Sequence, residues 1–332
     1  MEKTRSLSES NHEKSLITIT SCNRLSEVKK YIWDYLYFVN NNPAFEFILA
    51  LDGNSPEYID FCKDFEIPLV YSNEREGVGL SKNRVLTYFP NYHYYFFIED
   101  DIELSNHTIF KDIISTHQKS GVPHFCNHHK NQIFDSMHFK NLRLEICWTG
   151  GAQFAFYSNE GLQKVGGFNT LFAKYKRYGH TEHSYRYYHQ GLQKGPFIFS
   201  EKWLDSIIIH SPPQVTQDSK NTFNELGLVE VEQKLIESKT KFFELKTISK
   251  YQFNENKLGY NQKVADFITS NPQKYPLTIG KERKIALAEN YALRISKASN
   301  FFKKINLLLK SFWLSPSNVA LKHFIKTKLF GG

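Results

Sequence analysis

The sequence has few cysteines and no long apolar segment. Its 332 residues include only four cysteines, and the spacing of Cys22, Cys62, Cys126 and Cys147 matches neither a disulfide framework nor a zinc motif. No apolar run approaches the roughly 18–20 residues that span a bilayer. The polar stretch 1–14 also lacks the apolar centre of a secretory signal. These absences predict a cytosolic protein with reduced thiols.

Two glycine-rich nucleotide motifs are missing as well. The chain has no dinucleotide-binding fingerprint, and it has no phosphate loop that ends in Gly-Lys-Ser or Gly-Lys-Thr. Both motifs work by letting backbone N–H groups approach a phosphate closely. Their absence argues against hydride transfer with a nicotinamide cofactor and against ATP hydrolysis.

Negative charge is scarce in the C-terminal part of the chain. The net charge is +8, and residues 281–332 alone contain eleven Lys or Arg and two Glu. The remaining 280 residues therefore carry a net charge of about −1. A basic tail of this kind favours an anionic surface as partner, either lipid head groups or nucleic acid. No nucleic-acid recognition motif is present, so we expect no nucleic-acid partner.

Apolar strand-like runs alternate with helical spacing in the first third of the chain. The runs are residues 16–20, 45–51, 69–72 and 92–98, and the helical segments are 25–39, 58–65 and 80–88. This alternation predicts an α/β fold with a mixed, mostly parallel sheet flanked by helices. We expect a flexible segment at 1–14, the α/β domain at 15–215, and a helical, basic C-terminal region at 216–332.

Three consecutive carboxylates, Glu99, Asp100 and Asp101, follow the aromatic run that starts at Tyr92. Burying unpaired carboxylates is costly, so such a cluster faces solvent or binds a cation. In open α/β sheets the ligand crevice lies beyond the carboxyl ends of the strands. A divalent ion with oxygen ligands fits there and can carry a diphosphate. The alternative is an acidic turn that caps the next helix.

Other polar residues end the neighbouring strands, namely Thr20–Asn23, Asp52 and Asn73. Right-handed crossovers bring the ends of parallel strands to one edge, so we expect these residues beside the triplet. Gly150 and Gly151 precede another apolar strand and permit close approach of a ligand. The sequence therefore predicts a nucleotide site at this edge.

Three histidines occur together at His124, His128 and His129. Their spacing fits no zinc pattern with cysteine partners. We interpret this stretch as a solvated loop.

The order of these motifs resembles the family 2 glycosyltransferases, which have the nucleotide-sugar-binding fold called GT-A. The resemblance covers roughly residues 16–213. The matching segments are Thr20–Arg24, Asp52–Ser55, Gly77–Asn83, the acidic triplet, Thr149–Gly151, Gly166–Phe168 and Gly179–His183. The resemblance implies a metal-dependent, inverting hexosyl- or N-acetylhexosaminyltransferase. Its substrates would be a UDP-sugar and a hydroxyl of a bacterial surface glycan such as lipopolysaccharide or capsule.

The same resemblance assigns roles to individual residues. It implies that the UDP-sugar is bound by Thr20, Asn23, Arg24, Asp52, Asn73, Lys82, Asp100 and Gly151. It implies Mn²⁺ or Mg²⁺ on Asp101, with Glu99 and His210 as further ligands. Glu99 departs from the family's Asp-x-Asp pattern, and His210 has the alternative role of a hydrogen-bonded histidine at a strand end.

Glu182 falls on the position of the family's catalytic base. The family usually carries Glu-Asp there, whereas this chain reads Thr181-Glu182-His183. The resemblance implies that Glu182 deprotonates the acceptor hydroxyl. The alternative is structural, because Arg186 lies one helical turn further on and can pair with Glu182.

Residues 285–314 combine apolar, aromatic and lysine side chains. This composition fits an interfacial helix on an anionic membrane, with the protein peripheral on the inner face of the cell membrane. The alternative is a helix packed on the catalytic domain or at an interface of a homo-oligomer. Two further functions stay open, an inactive glycosyltransferase-like scaffold and a nucleotidyltransferase.

Overall fold

The computed structural model describes residues 13–128, 132–139, 142–174, 178–210, 251–271 and 301–314, with the single residues 233, 234, 237, 288, 291 and 295. The expected flexible segment 1–14 lies almost wholly outside the described residues. The same holds for most of 216–250.

Twelve strands and ten helices are described. The strands are β1 (Ser15–Ser21), β2 (Phe45–Leu51), β3 (Leu69–Ser72), β4 (Tyr94–Glu99), β5 (Ile102–Leu104), β6 (His124–His128), β7 (Ile133–Phe139), β8 (Leu142–Cys147), β9 (Gly150–Ser158), β10 (Phe197–Phe199), β11 (Ile207–Ile209) and β12 (Tyr251–Phe253). The helices are α1 (Leu25–Asn40), α2 (Pro56–Asp64), α3 (Val78–Tyr88), α4 (Thr108–Ser120), α5 (Asn159–Val165), α6 (Thr170–Lys174), α7 (Gly179–His189), α8 (Glu201–Leu204), α9 (Gln262–Thr269) and α10 (Phe301–Leu314).

A seven-stranded sheet in the order β12-β3-β2-β1-β4-β9-β6 forms the centre of the fold. Strands β3, β2, β1 and β4 are parallel, whereas β9 and β12 run antiparallel to their neighbours. Every residue of β1 is buried, as expected for a parallel strand that is covered on both faces. The prediction of a mixed, mostly parallel sheet flanked by helices is confirmed.

Alternating side chains of the central strands serve two apolar layers. On β1, Ile17 and Ile19 pack with α1, α2 and α4, while Leu16 points to the layer beneath α3, α5 and α7. Phe96 and Phe97 on β4 divide in the same way. This period of two follows from the pleat of a strand.

Two small sheets complete the edge at which β4 ends. Strand β5 begins directly after Asp101 and pairs antiparallel with β11, with Ile209 opposite Ile102. The backbone N–H of His210 then donates to Asp101 O over 2.9 Å. Strands β10, β8 and β7 form the second small sheet.

Residues 251–271 belong to the central sheet and its covering layer. Strand β12 pairs with β3 at the edge of the sheet, with Gln252 opposite Tyr71. Helix α9 packs on α1, where the Phe267 and Trp33 ring centroids are 4.0 Å apart. The architecture of the sheet therefore continues beyond the boundary that we expected at residue 215.

Helix α10 is attached near β11. Lys310 Nζ lies 2.8 Å from Asp205 Oδ2, and Ser311 Oγ donates to Ala288 O over 2.7 Å. Within the described residues, we find no helix with the length and apolar character that crossing a bilayer requires.

Candidate functional site

The ends of β1, β2 and β4 meet at one edge of the sheet. Parallel register places Thr20 beside Glu99 and Ser21 beside Leu51. The N–H of Asp52 donates to Ser21 O over 2.9 Å. The acidic triplet and Asp52 thus flank the end of β1, the arrangement that we expected from right-handed crossovers between parallel strands.

A hydrogen-bonded chain of side chains connects β1, α2 and the triplet. Ser21 Oγ donates to Asp100 Oδ2 over 2.5 Å, and the Tyr58 hydroxyl lies 2.6 Å from Ser21 Oγ. Tyr58 also accepts from the backbone N–H of Arg24. Asn23 makes the turn between these groups with a φ of +54°, a left-handed conformation that asparagine tolerates better than most residues.

Arg24 supplies the positive charge closest to the triplet. Its guanidinium forms an ion pair with Asp100 Oδ1 and lies 3.3 Å from Asp101 Oδ2. Burial raises the pKa of Asp100 to about 7, although Arg24 and Ser21 oppose the shift. Burial likewise raises the pKa of Asp101. The pair of aspartates is therefore only partly neutralised by this arginine.

Asp101 and His210 offer donor atoms for a divalent ion. Asp101 Oδ1 is buried and has no hydrogen-bond partner among the described residues. His210 Nε2 lies 3.0 Å from Glu103 Oε2, so a proton on Nε2 leaves a lone pair on Nδ1. A carboxylate that orients an imidazole is a common arrangement behind a metal ligand. These two residues fit an ion that takes its other ligands from phosphate and water.

Glu99 does not belong to the same group of possible metal ligands as Asp101 and His210. Throughout the described part of the chain, no three His, Cys, Asp or Glu side chains form a group that could hold a metal. Glu99 interacts instead with Lys82, and burial raises its pKa. The predicted set of Asp101, Glu99 and His210 therefore does not form a three-ligand cage.

Lys82 is a buried ammonium group between two rings. The residue is 2% exposed, and its Nζ lies 5.7 Å from the Phe97 centroid and 5.3 Å from the Phe168 centroid. Burial lowers the pKa of Lys82, and the charge of Glu99 opposes this shift. Within the described residues we find no hydrogen bond from Nζ to an oxygen. An anion at this edge would supply one.

The loop before α3 is fixed by Asp52. Its carboxylate accepts from the N–H groups of Glu76 and Gly77 over 2.7–3.0 Å, and Arg84 Nη2 lies 3.7 Å away. Asn73 is exposed and accepts from Gln252 Nε2. Asp52 thus has a structural role at the predicted edge, and its contact with a nucleotide stays a prediction.

Two predicted nucleotide ligands have close contacts within the fold, and their contact with a nucleotide stays a prediction. Thr20 is 4% exposed, and its hydroxyl donates to Ile98 O on the neighbouring strand. A Cβ on Gly151 would lie 2.0 Å from Gln153 Oε1 and 2.8 Å from Asn127 Nδ2. Protein side chains, rather than a ligand, therefore occupy the space that this glycine leaves.

The structure places Glu182, the predicted general base, in a buried ion pair. Glu182 and Arg186 are both 0% exposed, with Arg186 Nε 2.8 Å from Glu182 Oε1. Arg186 also donates to Val165 O and Gly167 O over 2.5 Å. A base must reach the proton that it abstracts. Glu182 instead has the structural role that the Arg186 spacing offered as the alternative.

The prediction of a solvated histidine loop is also wrong for His124 and His128. Both lie on β6 and are at most 6% exposed. His124 Nδ1 lies 2.9 Å from Phe156 O, and His128 Nε2 lies 3.3 Å from Glu145 Oε2. Pairing with β9 turns this polar stretch into a core strand. His129 lies outside the described residues.

Two residues of the site were not predicted from the sequence: Tyr58 and Glu103. Glu103 had a visible signal, because it is an acidic residue between two apolar ones directly after the triplet. Tyr58 had none, since a tyrosine at an apolar helix position usually belongs to the core.

No family model and no curated protein sequence matches this chain. Among solved structures, residues 1–349 of S. aureus TarS are 13% identical, with a TM-score of 0.41 over 53% of this chain and 55% of TarS 1–349. The same TarS segment in complex with UDP gives 11% identity and a TM-score of 0.41. The mannosyltransferase PcManGT from Pyrobaculum calidifontis, in complex with GDP-Man and Mn²⁺, is 11% identical, with a TM-score of 0.41 over 97% of this chain and 77% of PcManGT. The match thus spans about half the length of the TarS segment, and similarity at this level leaves the function to the chain's own residues.

Proposed function

We propose that this protein is an inverting glycosyltransferase that moves a sugar from a UDP-sugar to a hydroxyl of a bacterial surface glycan. The observation that carries the proposal is the pair of incompletely matched charges at one sheet edge. Among the described residues, Lys82 Nζ lies near two aromatic rings and the charge of Glu99 but has no hydrogen-bonded oxygen, and Asp101 Oδ1 has no hydrogen-bond partner there. A diphosphate would satisfy the first, and a divalent cation would satisfy the second.

Residues of the chain bind and orient the donor in this proposal. Lys82 donates to a phosphate oxygen at the end of β4. Arg24, already next to Asp100 and Asp101, is the second cation within reach of that phosphate. Asn23 and Arg24 line the turn after β1, while Asp52 and Asn73 border the nucleoside side of the edge.

Asp101 and His210 would hold the ion, with Glu103 orienting the imidazole through the 3.0 Å contact. When bound, Mn²⁺ or Mg²⁺ supplies Lewis-acid neutralisation of the diphosphate leaving group. The role of Asp100 is to keep Arg24 and Ser21 in place beside this site.

His180 replaces Glu182 as the base in this proposal. His180 lies in the first turn of α7 and is partly exposed, whereas Glu182 and His183 are fully buried. The His183 ring lies 4.2 Å from that of Phe168, which also contacts Lys82. These contacts support a location of the α7 N-terminus on the side of the triplet. A neutral imidazole there can accept the proton of the acceptor hydroxyl.

The first test is thermal unfolding of the full chain with a panel of nucleotides, with and without Mn²⁺. A ligand that binds only the native state stabilises it by about 2.7 kcal/mol at a hundred times its Kd. We expect UDP to raise the melting temperature by several degrees and the ion to enlarge that shift. Asp101→Asn should abolish the enlargement, whereas the exposed control Asp64→Asn should keep it.

The second test identifies the products. Incubation with UDP-sugars should release UDP together with transferred or hydrolysed sugar. Release of pyrophosphate from a nucleoside triphosphate would instead indicate a nucleotidyltransferase. Absence of a nucleotide-induced shift in the folded protein would leave a scaffold function.

The third test concerns the base. His180→Asn should keep UDP binding while transfer falls by about 10²–10⁴-fold, the usual contribution of a general base. His189→Asn, at the other end of α7, is the matched control and should retain transfer. Equal activity of the two variants would exclude His180 from the chemistry.

A further inference from the structure

Helix α10 exposes an apolar face. Trp313 is 83% exposed, Leu309 60%, Phe312 53% and Ile305 38%. At 3.6 residues per turn, these four side chains lie within an arc of about 100°. A contiguous exposed apolar surface on one side of a helix indicates an interaction site, whereas single exposed apolar residues do not.

The opposite face of α10 is attached to the protein. Leu307 is 5% exposed and Ser311 is 0% exposed, and the Ser311 hydroxyl donates to Ala288 O. Lys310 pairs with Asp205 and lies over the Tyr291 ring at 5.3 Å. The helix is therefore held by one face, and its apolar face points away from the residues that hold it.

Helix α10 carries positive charge. Residues 301–314 contain three lysines and no acidic residue, and the C-terminal sequence 281–332 has eleven basic and two acidic residues. A second copy of this surface would bring like charges together, which disfavours a symmetric dimer. An anionic lipid surface complements both the apolar arc and the positive charge.

The attachment also brings α10 close to the candidate site. Asp205 binds Lys310 through its carboxylate, and its backbone O accepts from Ser105. Ser105 directly follows β5, the strand that begins after Asp101. A membrane in contact with α10 would therefore lie on the side of the molecule where β5 and β11 pair.

We propose that Ile305, Leu309, Phe312 and Trp313 insert into the interface of a membrane that contains anionic lipids. Insertion places the protein as a peripheral protein on that surface. One consequence rests on the proposed function, namely that the glycan acceptor would be presented at this membrane. Lipid binding itself does not depend on catalysis.

Sedimentation of the full chain with lipid vesicles tests the proposal. We expect binding to vesicles of phosphatidylcholine and phosphatidylglycerol, and at least tenfold weaker binding to phosphatidylcholine alone. The double substitution Leu309→Ser and Trp313→Ser should abolish binding without lowering the melting temperature. Tyr260→Ser, at another exposed aromatic residue, is the matched control and should bind like the parent chain.

Trp313 itself provides a second measurement. Trp33 and Trp203 are buried, and Trp148 is half-buried, so the part of the emission change that is lost in Trp313→Phe reports on the exposed Trp313. Insertion predicts a blue shift and quenching by brominated lipid, both lost in Trp313→Phe while binding persists. Lys304→Gln should weaken binding to anionic vesicles roughly fivefold.

Sedimentation velocity tests the alternative that a second copy of this chain binds the apolar face. A dimer that the double substitution converts to a monomer, together with no vesicle binding by the parent chain, would overturn the proposal in favour of a second copy. A monomer that binds neither type of vesicle would overturn it as well. Neither result bears on nucleotide binding, so the proposed function is tested separately.

Discussion

Charged side chains are buried at two places in this protein, and they are partnered differently. On α7, Glu182 and Arg186 face each other, and the remaining donors of Arg186 reach two backbone carbonyls. At the end of β4, Lys82 faces aromatic rings, and one oxygen of Asp101 has no partner within the described residues. Helix α7 lies in a layer that covers the central sheet, and the end of β4 lies at the edge of the same sheet.

The comparison distinguishes charges that hold the fold from charges that await a ligand. Removing a charge from water carries a large free-energy cost unless partners replace the water. The α7 pair has its partners within the chain. At the edge the match within the chain is less complete, because Lys82 and one oxygen of Asp101 lack hydrogen-bond partners among the described residues, so these two groups gain most when a ligand provides the opposite charge. Such a deficit is a feature of binding sites.

The largest effect is expected on α7. Arg186→Met should lower the free energy of unfolding by about 3–5 kcal/mol, because it leaves the Glu182 carboxylate buried without its partner. Urea unfolding followed by circular dichroism measures this change. The double substitution Glu182→Leu and Arg186→Met should recover most of the loss, since no unpaired charge then remains.

A matched ion pair on α5 provides the control. Lys164 and Glu160 have the same spacing of four residues, but their side chains are 51% and 74% exposed. Lys164→Met should leave the free energy of unfolding essentially unchanged, because an exposed ion pair is screened by water. If Arg186→Met changed the free energy of unfolding as little as Lys164→Met, the buried pair would not stabilise the fold. Glu182 would then again be a candidate base.

The second effect is expected at Lys82, and it has the opposite sign for stability. Lys82→Met places an apolar, polarizable side chain between Phe97 and Phe168, so the free energy of unfolding should stay equal or rise. Hydrogen bonds to charged groups contribute about 1.5–3 kcal/mol. We therefore expect the Kd for UDP, measured by calorimetry, to rise by roughly tenfold to a hundredfold.

Lys63→Met controls for the loss of a positive charge, because Lys63 is exposed on α2. It should change neither quantity. A destabilised Lys82→Met with unchanged UDP affinity would mean that the ammonium is satisfied within the fold. The distinction between the two regions would then not hold at this residue.

The alternation of strands and helices and the position of the acidic triplet follow from the sequence because both are local patterns. Alternating strand and helix periodicities predict parallel strands, and the ends of such strands meet at one edge. The sequence alone therefore predicts that three features lie close together, namely the triplet, Asp52 and the turn after β1.

Burial and long-range pairing could not be predicted in this way. A spacing of four residues between Glu182 and Arg186 is compatible with an exposed pair or a buried one, and only packing against Val165 and Gly167 decides it. Strand β6 contains the polar residues His124 and His128, so its sequence lacks the apolar pattern of a core strand. Its place in the core follows from its pairing with β9. Strand β12 has three residues and pairs with β3 across about half of the chain.

The smallest effect concerns a third way to bury a titratable group, as a neutral one. His124 is 0% exposed, with Nδ1 2.9 Å from Phe156 O and Nε2 2.8 Å from Ser184 Oγ. Burial lowers the pKa of His124 to about 3, whereas an unfolded histidine has a pKa of about 6.5. The unfolded chain therefore binds the additional proton first as the pH falls, and stability decreases below about pH 6.5.

Between pH 7 and pH 5.5 this one histidine should lower the free energy of unfolding by about 1 kcal/mol. His124→Gln keeps a donor for Phe156 O and an acceptor for Ser184, so it should remove that part of the pH dependence. His138→Gln, at an exposed position of β7, should leave the dependence unchanged. Urea unfolding of the three proteins at both pH values decides the matter. An identical slope in all three would mean that His124 takes up its proton as readily in the folded protein as in the unfolded chain, and that this core site accommodates charge after all.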